Sequence, residues 1–216
     1  MVYIQLPKPK ERLCSKKSNL LHLALSRPSR CYPLTAFHIL MRTLLVFVLL
    51  AAAGFAEDDF AETKKKAEAG DAAAQNNLGY MYYKGEGVPK DDAEAAKWYR
   101  KAAEQGEANA QVGLGYMYRT GTGVPKDSAE ATKLWRKAAE QGNALAQFSL
   151  GGMYYGGEGV PKDLVQAHVW WNIAGAKGDE DAKTNLGIVE KDMTSEQKAE
   201  AMKLARELFD KLPKGN

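Results

Sequence analysis

The chain has 216 residues, 30 basic against 27 acidic side chains for a formal charge of +3, and two cysteines. Both cysteines, Cys14 and Cys31, lie near the start, so everything downstream lacks a thiol and excludes a disulfide framework or a cysteine-bound zinc. Before residue 57 there are 8 basic residues and 1 acid, leaving 22 basic and 26 acidic, a net of −4. That balance removes the support for nucleic acid or an anionic membrane as the main partner.

In chain order, residues 1–40 show no hydrophobic period and no repeat, and set Lys8, Lys10, Arg12, Lys16, Lys17, Arg27 and Arg30 against Glu11. At Met41 the character changes: Met41-Arg42-Thr43 is a short basic start, and Leu44 to Ala53 is unbroken apolar sequence. Gly54-Phe55-Ala56 then places small residues at the third and first positions before a cut, as a secretory signal requires. The expectation is a cleaved signal over 41–56, a true start at Met41 with 1–40 an over-extended gene model, and a periplasmic or secreted product. Leu44 to Ala56 offers 13 residues, short of the roughly 20 a spanning helix needs, so no stable membrane insertion is expected after cleavage.

From residue 70 onward the chain repeats itself. Gly85-Glu86-Gly87-Val88-Pro89-Lys90-Asp91 returns 36 positions later as Gly121-Thr122-Gly123-Val124-Pro125-Lys126-Asp127, and again as Gly157-Glu158-Gly159-Val160-Pro161-Lys162-Asp163. The flanks keep step, with Leu78-Gly79, Leu114-Gly115 and Leu150-Gly151 before the loop and Ala102, Ala138 and Ala174 after it. Paired glycines let the backbone leave one helix sharply, and proline blocks its continuation. Asp91, Asp127 and Asp163 then stand as N-caps, with Glu94, Glu130 and Gln166 placed to close capping boxes. Each unit therefore reads as a helical hairpin, with helices near 72–84, 91–105, 108–120, 127–141, 144–156 and 163–177. The units run 70–105, 106–141 and 142–177. A polar capping helix is expected over 57–69, and a degenerate C-terminal capping repeat over 178–216, where Thr194-Ser195-Glu196-Gln197 supplies a further capping box.

The pattern Ala-x-x-x-Leu-Gly-x-x-Tyr, Gly-x-Gly-Val-x-x-Asp, Ala-x-x-Trp-x-x-x-Ala-Ala-x-x-Gly resembles the Sel-1-like repeat family, a relative of tetratricopeptide repeats, here of an exported bacterial type. The resemblance implies an all-α, right-handed solenoid of stacked hairpins, built mainly for scaffolding and adaptor roles. It also implies a working surface on the inner face of each unit's first helix. On that basis Asn76, Tyr80, Tyr83, Val112, Tyr116, Arg119, Phe148 and Tyr155 are the expected protein-binding residues, while the helical spacing of the pairs Trp98-Tyr99, Leu134-Trp135 and Trp170-Trp171 places them in the expected core.

Chemistry is sparse. Beyond residue 56 there is one histidine, His168, and no serine sits in a nucleophile elbow. The glycine loops follow helices and contain proline, which argues against a phosphate cradle. The sequence therefore points to a non-enzymatic, monomeric module without metal or cofactor that binds a protein or peptide on its concave face. The alternative is a weak hydrolase or penicillin-binding activity, as the resemblance implies for cysteine-rich relatives, whose cysteines this chain lacks.

Overall fold

The computed structural model describes residues 59–213; the leader, the signal segment and the cut after Ala56 lie outside them. Regular structure among the described residues is entirely helical. In chain order it comprises α1 (59–68), α2 (Ala72–Lys84), α3 (Asp92–Glu104), α4 (Ala108–Thr120), α5 (Ser128–Glu140) and α6 (Ala144–Gly156), then α7 (Leu164–Ala176), α8 (Glu180–Val189) and α9 (Ser195–Lys211). A 3-10 turn, Glu190–Asp192, separates the last two.

The repeated loop does what its residues require. Gly85, at φ 76°, ends α2 in the left-handed region, and the amides of Gly85 and Glu86 both donate to the Met81 carbonyl. Asp91 then caps α3, its carboxylate accepting from the amides of Ala93 and Glu94. The expected reciprocal bond from Glu94 does not form. The Asp91 amide already donates to the Tyr82 carbonyl at 2.9 Å, so Glu94 turns instead to Lys97. Asp127 and Glu130 behave alike, with Glu130 on Lys133 at 3.1 Å. Only at Thr194 and Gln197 do both bonds of a capping box occur among the described residues.

Neighbouring helices pack in order from α2 to α8, so each hairpin leans on the next. The contact surface is largely alanine: Ala95, Ala102, Ala110, Ala131, Ala138, Ala146, Ala167 and Ala174 are all fully buried, which lets helix axes approach closely. Between units runs a polar ladder. Gln75, Gln111 and Gln147 donate to the carbonyls of Ala67, Ala103 and Ala139, and Gln105 and Gln141 donate to the side-chain oxygens of Gln75 and Gln111. The chain end departs from the stack. Without a glycine loop, α9 packs against α7 instead of pairing with α8, and buries Ala201, Ala205 and Leu212 in the same core as Trp170 and Ile173.

Candidate functional site

The site grows from the Leu-Gly pair of each first helix. The glycine leaves room that the second helix fills with a ring: a Cβ on Gly79 would meet Tyr99 at 2.9 Å, and one on Gly115 or Gly151 would meet Trp135 or Trp171 at 2.6 Å. The rings are locked from behind. The Trp135 indole donates to the Val112 carbonyl at 3.1 Å and that of Trp171 to the Phe148 carbonyl at 3.0 Å. Tyr99, Trp135 and Trp171 are therefore core residues, as expected, with one face forming the floor of a groove.

Two hollows open over this floor. The first, about 340 Å³, is bordered by Tyr80, Tyr83, Lys84, Val112, Tyr116 and Leu145 above Tyr99 and Trp135. The second, about 220 Å³, is bordered by Tyr116, Arg119, Phe148, Glu158 and Asn185 above Trp135 and Trp171. Tyr116, Trp135 and Ser149 belong to both, which joins them into one strip across three units. Tyr80 and Tyr116 stand 44% and 43% exposed on its wall, and Tyr83 meets Tyr116 edge to face at 6.4 Å.

Burial raises the Tyr99 phenol above its ordinary range, and the nearby phenols of Tyr80 and Tyr83 push the same way. Tyr83 is raised too, by burial first and then by Tyr116. Tyr83 in the wall and Tyr99 in the floor are thus neutral, partly dehydrated phenols, suited to stacking.

Of the residues expected from sequence, the first hollow brings together Tyr80, Tyr83, Val112 and Tyr116, and the second Tyr116, Arg119 and Phe148. Asn76 and Tyr155 line neither. Asn76 bonds its neighbour Asn77, and Tyr155 lies 5.6 Å from the Trp171 ring with its hydroxyl donating to Asp192. His168 is fully buried, its Nε2 3.1 Å from Glu190, and also lines neither hollow. Among the described residues no group of acids and histidine is arranged to hold a metal ion, and no helix is long and apolar enough to cross a membrane.

The Sel1 repeat model matches residues 72–107, 108–143 and 144–179, three consecutive units that begin at the first residues of α2, α4 and α6. The chain belongs to the Sel1 repeat family. Sel1 repeats generally build protein-interaction scaffolds. Among solved structures, the chain is similar to a protective antigen present in uropathogenic Escherichia coli strains that displays an SLR fold. There the identity is 39% and the TM-score 0.66, with 70% of this chain and 32% of that one covered. It is likewise similar to a Sel1 repeat protein from Oxalobacter formigenes, at 40% identity and a TM-score of 0.60, covering 67% of this chain and 59% of the other. A curated relative, the secretory immunoglobulin A-binding protein EsiB of Escherichia coli O6:H1, is 38% identical over 56 residues, which is 26% of this chain and 11% of that protein. The chain thus spans about a tenth of the curated relative and under two thirds of either solved chain.

What the sequence reading missed in these Sel1 units is the floor. Tyr99, Trp135 and Trp171 each follow the first member of a hydrophobic pair, and helical spacing alone marks both members as buried. The signal that separates them is the glycine opposite, since only the ring facing Gly79, Gly115 or Gly151 reaches through to the groove.

Proposed function

We propose that this chain is an exported protein-interaction scaffold that grips a segment of a partner protein along the concave strip. The observation that carries the reading is the continuity of the two hollows through Tyr116, Trp135 and Ser149, which offers one aromatic-floored groove instead of isolated dimples. Equivalent positions 36 residues apart become neighbours in the stack, so an extended strand or a helix laid across the units meets an aromatic floor at each step, Tyr99, Trp135 and then Trp171. That a curated relative is by its name an immunoglobulin-binding protein supports protein recognition by Sel1 repeats. The segment 41–56 would deliver the chain to the periplasm or beyond, where it would act as a monomer. No observation favours the hydrolase alternative, since buried His168 is bonded to Glu190 and lines neither hollow.

Capture of partners from a periplasmic extract by immobilised chain is the test. Tyr116→Ala and Phe148→Ala should each weaken capture by about 1–3 kcal/mol, as expected of aromatic anchors. Substitution of Glu104 or Lys137, exposed on α3 and α5, should change little. Loss of capture through the second pair alone would place the binding surface on the other side of the solenoid.

A further inference from the structure

Cations lie over aromatic rings along the groove and beside it. Lys84 sits 5.8 and 5.7 Å from the ring centres of Tyr80 and Tyr83, Lys90 5.5 Å from Tyr83, Arg119 5.9 Å from Trp135 and Lys162 5.2 Å from Tyr155. Away from the groove, Lys97, Lys133 and Lys183 pair with Glu94, Glu130 and Glu180 at helical spacing, while Lys101 and Arg136 also lie over rings, those of Trp98 and Tyr154. Among the described residues no carboxylate lies within 4.0 Å of Lys84, Arg119 or Lys162, and Lys90 alone has an acid, Asp92 at 3.3 Å. The aspartates of the same loops are engaged, because Asp91, Asp127 and Asp163 each accept backbone amides at a helix start.

The charge is also uneven along the groove. Glu158 borders the second hollow and Asp192 takes the Tyr155 hydroxyl, so acids accompany the cations towards the C-terminal end. The first hollow is bordered by Lys84 and by no acid, and Arg119 borders the second, over the Trp135 ring that both hollows share.

Resting on the reading of the groove as the binding surface, we infer that its occupant is an acidic segment carrying aromatic or large apolar side chains. One such side chain enters the first hollow between Tyr80 and Tyr116 while flanking carboxylates meet Lys84 and Arg119. Cations held over rings are already placed, so a carboxylate gains a charge-assisted hydrogen bond at reduced ordering cost. With residues 57–216 at net −4 (22 basic, 26 acidic), the rim is the favourable landing place for an acidic segment and the rest of the surface repels it, which sharpens register.

Fluorescence anisotropy with the purified exported form, residues 57–216, tests this, using two labelled twelve-residue peptides in which phenylalanine and leucine alternate with aspartate or with lysine. The aspartate peptide should bind about tenfold tighter at low salt, with the gap closing as salt is raised. Lys84→Gln and Arg119→Gln, both exposed and with no ion pair to lose, should each weaken the aspartate peptide about fivefold and leave the lysine peptide unchanged. Tyr116→Ala should weaken whichever peptide binds. Equal or tighter binding of the lysine peptide, or no binding of the aspartate peptide at about 1 mM, overturns the acidic occupant. If binding of the lysine peptide remains sensitive to Tyr116→Ala, the groove reading survives that failure. Binding of the aspartate peptide that ignores Tyr116→Ala, Lys84→Gln and Arg119→Gln together overturns the groove itself.

Discussion

At the scale of single residues, adjacent positions on one helix do opposite work. Gly115 admits the Trp135 ring to within 2.6 Å of where a Cβ would stand, whereas Tyr116 beside it is 43% exposed on the groove wall. Gly115→Leu should therefore destabilise the domain by more than about 2 kcal/mol, because the tryptophan could move aside only by giving up its hydrogen bond to the Val112 carbonyl. Tyr116→Ala should cost well under half of that, and urea melts of the two variants side by side check the assignment of faces. Tyr99 supplies a pH prediction. Burial favours its neutral phenol in the folded chain, so its contribution is fully present below the unfolded value of about 10 and is lost as pH rises through the higher folded value. Stability should therefore fall as pH rises above about 10, and Tyr99→Phe should make that fall shallower. An unchanged slope would mean that other groups dominate alkaline unfolding.

Elements meet through features that recur until one fails. In the first two units Gln105 and Gln141 donate to Gln75 and Gln111 at 2.7 and 2.9 Å. The third unit has Lys177 at that place, reaching the Gly142 carbonyl instead, and the buried side-chain oxygen of Gln147 is left without a donor. Burial also lowers the Lys177 pKa. Lys177→Gln should restore the ladder and raise stability by about 1 kcal/mol, the usual net worth of satisfying such a group, with the thermal midpoint as readout. The loop between helices has a second role that local geometry hides. A Cβ on Gly123 would fall 2.1 Å from the carbonyl oxygen of Asp92 in the preceding unit, and one on Gly159 the same distance from that of Ser128. Gly123→Ala should thus cost more than Gly121→Ala, whose Cβ would meet Lys126 at 3.3 Å, although both glycines have positive φ. Equal losses would reduce the loop to a simple turn.

For the whole molecule, stability is a sum over neighbours in a stack, and the open end must be closed. Here α9 closes it by lying on α7, where Ala201 and Ala205 are buried with Met193 and Leu212 in the core around Trp171. Deleting α9 should cost more than about 3 kcal/mol, because it strips the apolar cover from α7. A urea midpoint unchanged by the deletion would mark α9 as an accessory.

The sequence by itself determined the all-helical solenoid and the limits of the six helices α2 to α7 to within a residue, because glycine pairs, proline and N-cap aspartates act over a few neighbouring residues and a 36-residue period counts the units. Tyr80, Tyr83, Val112, Tyr116, Arg119 and Phe148, singled out by the family resemblance, line the two hollows. Only the tertiary structure decided that Tyr99, Trp135 and Trp171 form their floor, since that depends on which ring faces a glycine of another helix. Only it set Asn76 and Tyr155 apart from the hollows, turned α9 onto α7, and left Lys84 and Arg119 over rings without an acid. Those outcomes are contacts between residues far apart in the chain, and no local propensity encodes them.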